Sequence, residues 1–162
     1  MIIKKANQNN IKEIVQLWLD FMNEHDQIVL KNDPRLKAFE AKRKDMGEKY
    51  EVFIKSYIGS KNGVVFLAIE KHNIVGYTLV FIKEEIPIYK CEYVGYISDL
   101  YVKDGSRSQG LSTKLKNQAI AWLKGKKMTC AAVPLYPANT VAHSIYEKWG
   151  FFDYKVEMRM KI

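Results

Sequence analysis

Residues 95–115 have the sequence GYISDLYVKDGSRSQGLSTKL, and this stretch determines the fold prediction for the whole chain. Its first part alternates like a β-strand that ends at Val102, and a short polar loop with Gly105 and Arg107 follows. An amphipathic helix then begins close to Gly110. The N–H groups of a first helical turn attract anions, because they have no partner within the helix and lie at the positive end of its dipole. This order of strand, glycine-containing turn and helix therefore predicts an anion-binding site.

A second informative run, NTVAHSIYEKWGF, covers residues 139–151. Asn139 can cap a helix that extends to Trp149, and Gly150 can end it. Tyr146 lies seven residues after Asn139, which is close to two helical turns, so both side chains are expected on one face of that helix.

The length and composition limit the class of protein to which this chain can belong. A chain of 162 residues with 48% hydrophobic and 27% charged residues is expected to form a single globular domain over residues 1–162. No apolar run approaches the roughly 20 residues of a membrane helix, and the start MIIKKANQNN does not resemble a signal peptide. Cys91 and Cys130 have no metal-type spacing and are interpreted as reduced, partly buried thiols, which favours a cytoplasmic protein.

The net charge of +8 is concentrated in the second half of the chain, where the predicted anion site lies. Residues 1–92 contribute +2 and residues 93–162 contribute +6. This asymmetry indicates either a field that attracts anionic ligands or a generally lysine-rich surface. Nucleic acid is an unlikely partner, since the lysines form no basic stripe interleaved with aromatic residues.

The hydrophobic periodicity predicts a mixed α/β sheet, because hairpin-connected strands are followed by helical crossovers. The predicted strands are Ile2–Lys5, Val64–Glu70, Ile74–Ile82, Tyr93–Val102, Met128–Val133 and the region Phe151–Lys161. The predicted helices are one capped by Asn10 with Glu13 in a capping box, one carrying Phe39 to Tyr57, one over Ser112–Lys124, and one from Asn139 to Trp149.

This order, with the two motifs, resembles the GCN5-related N-acetyltransferase (GNAT) superfamily over essentially the whole chain. The signature loop of that family, R-x-x-G-x-G/A, corresponds to Arg107 and Gly110, with Ser112 at the last small position. The resemblance implies a mixed, mainly antiparallel sheet of six to seven strands flanked by four helices. It also implies that the sheet splays between its two central parallel strands.

The resemblance further implies acetyl-CoA as the acyl donor. N–H groups of the glycine turn would bind the pyrophosphate, and the end of the preceding strand would hold the pantetheine arm and polarise the thioester carbonyl. The implied donor-binding residues are Leu100, Tyr101, Val102, Arg107, Ser108, Gln109, Gly110, Leu111, Ser112, Thr113, Asn139 and Tyr146. Three scattered histidines and two distant cysteines predict no metal site.

Two residues are candidates for catalysis. Tyr146 matches the position of the family's tyrosine acid, which protonates the departing thiolate; alternatively it is a core aromatic beside Trp149. Asp99 lies in a strand similar to that of diamine and polyamine acetyltransferases, where it would bind the acceptor's ammonium or take its proton through water. Asp99 could equally be a strand-end carboxylate paired with Lys or Arg. Glu92 and Glu24 are secondary candidates for the base.

The remaining titratable residues are interpreted as structural or as acceptor-binding. The histidines His25, His72 and His143 are expected at the surface. Carboxylates in the first two helices and the loop before the third long strand either bind a cationic amine or form a solvated face. They are Asp20, Glu24, Asp26, Asp33, Glu84 and Glu85.

The resulting hypothesis is an N-acetyltransferase that moves an acetyl group from acetyl-CoA to a primary amine by direct attack in a ternary complex. The acceptor is expected to be a small amine or polyamine. The alternatives are a protein or peptide amine, a non-catalytic acyl-CoA sensor, and a basic nucleic-acid-binding domain. Because sheets of this fold often donate their C-terminal strand to a neighbour, a homodimer is also expected.

Overall fold

The computed structural model describes residues 1–162, which form two compact units. The first unit comprises Met1–Phe21 and Asp45–Pro134, and the second comprises Met22–Lys44 and Leu135–Ile162. The single domain expected over residues 1–162 stays a prediction.

A mixed five-stranded sheet forms the first unit, with strands in the order β1-β2-β3-β4-β5. The strands are β1 (Ile2–Lys5), β2 (Gly63–Glu70), β3 (Asn73–Glu84), β4 (Tyr93–Val102) and β5 (Ala131–Ala132). Strands β1 to β4 pair in antiparallel fashion, and β5 runs parallel to β4.

The prediction of six to seven strands is wrong. The region Phe151–Lys161 forms no strand, and only Ala131–Ala132 is a strand within the predicted Met128–Val133. Alternation identifies segments with two different faces, but a strand also needs a hydrogen-bonded neighbour, which alternation cannot supply.

Strands β4 and β5 are paired over a very short length. The parallel ladder contains only the pairs Gly95–Ala131 and Tyr96–Ala132, whereas β4 continues to Val102. Residues 97–102 therefore have no strand partner on the β5 side, as expected for a sheet that splays at this point.

Four α-helices accompany the sheet, as predicted. They are α1 (Ile11–Asn32), α2 (Met46–Tyr57), α3 (Leu111–Gly125) and α4 (Thr140–Lys148), and short 3₁₀ helices cover Gln8–Asn10, Pro34–Ala38 and Asp104–Ser106. None of them combines the length and the apolar character that a bilayer crossing requires.

Two predicted details of the helix boundaries are wrong. The capping box joins Asn7 and Asn10 around the first 3₁₀ helix, instead of Asn10 and Glu13. Phe39 lies outside α2, because it is the C-cap residue of the 3₁₀ helix that Asp33 caps at its start, and α2 begins only at Met46.

The sheet of the first unit is packed on both faces. On one face, side chains of α1, α2, β2 and β3 meet with at most 2% exposure: Ile14, Leu17, Ile54, Leu67 and Leu79. Helix α3 covers the other face with the buried Leu115 and Leu123, and a Cβ on Gly95 would approach the Leu123 side chain to 2.4 Å. The absence of that Cβ lets the C-terminal part of α3 pack directly on the start of β4.

Candidate functional site

The glycine turn before α3 leaves the helix start open. Ser108 and Gly110 have φ values of 62° and 74°, and Gly110, as the N-cap residue, has no side chain to cap the helix. The first intrahelical bond runs from the Lys114 N–H to the Gly110 carbonyl at 3.0 Å, and the first turn contains no acidic residue. The N–H groups of residues 111–113 therefore have no intrahelical acceptor and form the positive end of a 15-residue helix.

Arg107 ties this turn to the end of β4. Its Nε donates a hydrogen bond to the Val102 carbonyl at 2.8 Å, and its guanidinium lies 3.2 Å from the Asp104 carboxylate and 5.7 Å from the centre of the Tyr101 ring. Arg107 therefore positions the loop in this structure. A second anchor is the buried Ser106, whose hydroxyl donates to the Glu70 carboxylate at 3.1 Å.

The backbone of β4 is partly open beside this turn. The Lys103 N–H donates to the Val75 carbonyl at 2.8 Å, so the neighbouring residue Val102 directs its backbone groups to the opposite edge. The backbone N–H and carbonyl of Leu100 also point away from β3, whereas those of Tyr101 point toward β3. Because β5 does not extend this far, the backbone N–H and carbonyl of Leu100 and the N–H of Val102 can bind an extended ligand, while Arg107 occupies the Val102 carbonyl.

Asp99 lies buried under two tyrosines in the first unit. The register of β3 and β4 shifts between Leu79 and Val80, leaving Ser98 as a bulged residue without a cross-strand partner. This bulge directs Asp99 to the face covered by α1 and α2. Its Oδ2 accepts hydrogen bonds from the Tyr50 hydroxyl at 2.5 Å and the Tyr77 hydroxyl at 3.3 Å.

Burial dominates the electrostatics of this cluster. Desolvation raises the pKa of Asp99, and hydrogen bonds from Tyr50, Tyr77 and Ser98 oppose that rise. Burial beside this carboxylate also raises the pKa of both Tyr50 and Tyr77, so both phenols are protonated donors at neutral pH. The hydrogen-bond partners of Asp99 are thus hydroxyl groups, and the alternative in which Lys or Arg pairs with it is wrong.

The role of these tyrosines is not evident from the sequence pattern. Apolar periodicity places Tyr50 on one face of a helix, but in the structure Trp18 stacks on its ring at 4.2 Å and its hydroxyl reaches Asp99. The available signal was chemical, because a buried tyrosine normally needs a partner for its hydroxyl.

In the second unit, Asn139 and Tyr146 lie on α4. The Asn139 side chain accepts a hydrogen bond from the Ala142 N–H at 3.2 Å, so its capping role is visible. Tyr146 is half-buried, with its ring 5.7 Å from that of Trp149 and 6.2 Å from that of Phe151. The aromatic neighbours hold the Tyr146 ring, and its catalytic role stays a prediction.

The three histidines differ in their surroundings. His72 is exposed in the β2–β3 turn, as expected. His143 lies 2.9 Å from the Asp153 carboxylate, and this hydrogen bond raises its pKa. The surface position expected for His25 is wrong, because it lies half-buried within α1 with its ring 4.8 Å from that of Tyr136, and burial lowers its pKa.

Two of the predicted acceptor carboxylates have cationic partners in the second unit. Asp26 lies 3.1 Å from the Lys42 ammonium, and Asp33 lies 2.7 Å from the Arg35 guanidinium. These pairs are typical of a solvated, charged surface. The secondary base candidate Glu92 is exposed just before β4, and Glu24 lies in α1. No cluster of three or more His, Cys, Asp or Glu side chains is arranged to hold a metal ion.

Similar solved structures support the fold over nearly the full length of the chain. A mutant form of a Bacillus halodurans protein is 18% identical, with a TM-score of 0.82 and coverage of 100% of this chain and 99% of that chain. An aminoglycoside antibiotic 6'-N-acetyltransferase from Acinetobacter haemolyticus is 21% identical, with a TM-score of 0.72 and the same coverage. A predicted acetyltransferase from Clostridium acetobutylicum, solved with acetyl-CoA, is 16% identical, with a TM-score of 0.74 and coverage of 99% and 95%.

No curated protein matches the sequence significantly. The specific similarity to polyamine acetyltransferases is not confirmed by any of these relatives. Residues 11–151, however, match the sequence model described as the Acetyltransferase (GNAT) family. With that match over most of its length, and with the splayed sheet and open helix start described above, this chain belongs to the GNAT family of acetyltransferases.

Proposed function

We propose that this protein transfers an acetyl group from acetyl-CoA to a primary amine by direct attack in a ternary complex. The observation that carries the proposal is the open start of α3 beside the unpaired edge of β4. Solved structures of this fold include a predicted acetyltransferase from Clostridium acetobutylicum with acetyl-CoA and an aminoglycoside N-acetyltransferase with CoA.

The donor's pyrophosphate would be bound by the N–H groups of residues 111–113, with Ser108, Gln109 and Gly110 shaping the turn. Leu111 would contribute only its N–H group, because its side chain is buried with 1% exposure. The backbone groups of Leu100 and Val102 would hold the pantetheine arm, and an N–H group of β4 would stabilise the oxyanion.

The reaction requires two proton movements. The acceptor ammonium loses a proton, its nitrogen attacks the thioester carbonyl carbon, and the carbon–sulfur bond breaks to release a thiolate. We assign protonation of that thiolate to the Tyr146 hydroxyl. We assign the attraction of the acceptor's ammonium, and acceptance of its proton through water, to Asp99 acting with the Tyr50 hydroxyl that contacts it.

A small cationic amine or polyamine is the proposed acceptor. Its support is Asp99, a buried carboxylate with phenolic rather than cationic partners. One relative is an aminoglycoside antibiotic 6'-N-acetyltransferase, and aminoglycosides are also polycationic amines. The alternatives are a protein or peptide amine and a non-catalytic acyl-CoA-binding module.

We also propose that the protein is a cytoplasmic homodimer. The segment 152–162 alternates charged residues with exposed apolar ones, and it belongs to no helix or strand. Its exposed apolar residues are Phe152, Tyr154, Val156, Met158, Met160 and Ile162. A second copy of the chain would bury this face by pairing with the segment. The cytoplasmic location rests on the free state of both cysteines.

The direct test is acetylation of a panel of amines with acetyl-CoA, with products identified by mass. The panel contains spermidine, spermine, small diamines, aminoglycosides, amino acids and short peptides, and Tyr146→Phe is the control variant. Acetylation of a small amine or polyamine that is lost in the variant supports the proposal. Modification of peptides alone favours a protein acceptor, and acetyl-CoA binding without any product favours the non-catalytic module.

A further inference from the structure

Two thiols lie in contact where strands β4 and β5 begin. The Sγ atoms of Cys91 and Cys130 are 2.8 Å apart, although the residues are 39 positions apart in the sequence. The Cys91 thiol also donates to the Tyr93 carbonyl at 3.1 Å. Sequence analysis interpreted these residues as separate, partly buried thiols, and for Cys130 that interpretation is wrong because it is exposed.

The sheet sets the position of the Cys130 backbone. The Gly95 N–H donates to the Cys130 carbonyl at 3.1 Å, and the parallel ladder of β4 and β5 starts at the next residue, Ala131. Cys91 lies two residues before the start of β4, so the ends of two neighbouring strands bring the two cysteines together. Gly95 in turn packs against Leu123 of α3, which fixes this end of β4.

Solvent and small reagents can reach the thiols. Cys130 is exposed, and Cys91 lines a surface cleft of about 220 Å³ together with Tyr93 and the cationic Lys90 and Lys127. Only two potential soft-metal ligands are present here, which is fewer than a closed zinc site needs. Contact between two accessible thiols is instead the arrangement from which a disulfide forms.

We propose that Cys91 and Cys130 form a redox modification site, at which a peroxide or a low-molecular-weight disulfide oxidises the two thiols to an intramolecular disulfide. With a low-molecular-weight disulfide, one thiolate attacks a sulfur atom and releases one small thiolate, and the second thiol then attacks the mixed disulfide and releases the other small thiol. With hydrogen peroxide, one thiolate attacks an oxygen atom, the O–O bond breaks, and the departing hydroxide takes a proton from solvent, which leaves a sulfenic acid and one water. The second thiol attacks that sulfur, the S–O bond breaks, and a second water leaves. The two sulfur atoms together supply the two electrons that reduce the peroxide.

The contact between the thiols affects their ionisation. The hydrogen bond to Cys91 raises the pKa of Cys130 to about 11. The two thiols titrate as an interacting pair, so either sulfur can make the first attack once it is ionised. Oxidation is expected to become faster as the pH rises, since more of the pair is then ionised.

The disulfide would enclose residues 91–130, which include β4, the glycine turn and α3. It would also add a covalent link where only two residue pairs join β4 to β5. Closing a loop of this length restricts the unfolded chain, so the oxidised form is expected to unfold at a temperature several degrees higher, roughly 5 °C or more. This inference rests on the thiol geometry alone and does not depend on the proposed acetyltransferase activity.

To test this proposal, the protein is treated with hydrogen peroxide or with glutathione disulfide. The number of thiols that can be alkylated and the mass of the protein are then measured. The expected product loses about 2 Da, fails to react with N-ethylmaleimide after unfolding, and yields a linked peptide containing Cys91 and Cys130. Dithiothreitol should restore both thiols. Cys91→Ser and Cys130→Ser, checked for folding by circular dichroism, should instead gain oxygen or glutathione. If the wild-type protein keeps two alkylatable thiols, or forms only mixed or intermolecular disulfides, the proposal is wrong.

Discussion

At the scale of single residues, the buried carboxylate of Asp99 is the most informative group in the first unit. The hydroxyl groups of Tyr50 and Tyr77 donate hydrogen bonds to this carboxylate, which is largely closed to solvent. A carboxylate in such a place is costly to ionise unless it serves a cationic ligand, since it has no permanent positive partner. This cost makes Asp99 testable through stability as well as through activity.

Asp99→Asn is expected to change the pH dependence of stability. Burial raises the pKa of Asp99 in the folded state above its unfolded value, so the native chain holds this proton more tightly than the unfolded chain. Its contribution to stability is complete below the unfolded pKa and is lost as the pH rises through the folded pKa. The unfolding free energy of the variant relative to wild type should therefore increase from about pH 4 upward, as measured by urea denaturation.

A control variant and a kinetic measurement complete this test. Asp104→Asn neutralises a carboxylate that is 88% exposed and should show no comparable increase with pH. In steady-state kinetics, Asp99→Asn should raise the KM for the amine and leave the KM for acetyl-CoA nearly unchanged. An unaltered amine KM and pH profile would rule out the role assigned to Asp99.

Tyr146→Phe is expected to separate donor binding from chemistry. The substitution keeps the ring among its aromatic neighbours Trp149 and Phe151 but removes the hydroxyl that would protonate the thiolate. Loss of a general acid lowers turnover by a factor on the order of 10² to 10⁴. Calorimetric titration should give an almost unchanged Kd for acetyl-CoA. Tyr154→Phe is the matched control, and turnover equal to wild type in both variants would make Tyr146 a packing residue only.

At the scale of elements, the turn before α3 depends on backbone conformation rather than on crowding. A Cβ on Gly110 would meet no protein atom within 4 Å, but the residue has φ of 74°. Gly110→Ala is therefore expected to cost about 1–2 kcal/mol of stability and to weaken acetyl-CoA binding, because the N–H groups that follow would shift. Thermal unfolding and calorimetric titration measure the two effects.

Gly125→Ala is the control for that prediction. Gly125 is the last residue of the same helix, has space for a Cβ, and does not have a positive φ. Alanine there should leave stability unchanged or raise it slightly. Equal stabilities of the two variants would show that the turn tolerates a side chain in the conformation observed at Gly110.

The bulge in β4 is the second structural feature, after the turn before α3, that positions the candidate site. A regular strand would alternate Tyr96, Ser98 and Leu100 on one face, and Asp99 would then point to the face that α3 covers. The unpaired Ser98 interrupts that alternation, so Asp99 joins the face on which Tyr50 and Tyr77 lie. The location of the candidate site thus depends on one extra residue.

At the scale of the whole molecule, the exposed apolar face of segment 152–162 predicts association of two chains. Light scattering coupled to gel filtration should show the wild-type protein at twice the mass of one chain. Val156→Lys combined with Met158→Lys places charges on the apolar face and should give a monomer. Lys155→Gln with Lys161→Gln, on the charged face, should leave the dimer intact. A monomeric wild-type protein at micromolar concentration would contradict the prediction.

Much of the fold was predictable because it depends on local patterns. The bounds of β1 and β4 and the presence of four helices followed from periodicity, glycine positions and caps, which are properties of neighbouring residues. The strand at 151–161 was predicted wrongly because its alternation is real but its hydrogen-bonding partner is absent from the sheet. The apolar spacing also predicts that α2 includes Phe39, because it continues across residues 40–45, which are not helical.

The sequence by itself determined the family, the glycine turn and the identity of the candidate residues Asp99, Arg107, Gly110 and Tyr146, because motif spacing and residue chemistry are carried along the chain. Only the tertiary structure decided which groups meet. It placed two tyrosines on Asp99 and brought Cys91 to Cys130. Such contacts depend on strand register and on a single bulge, and a shift of one residue moves every side chain to the other face of the sheet.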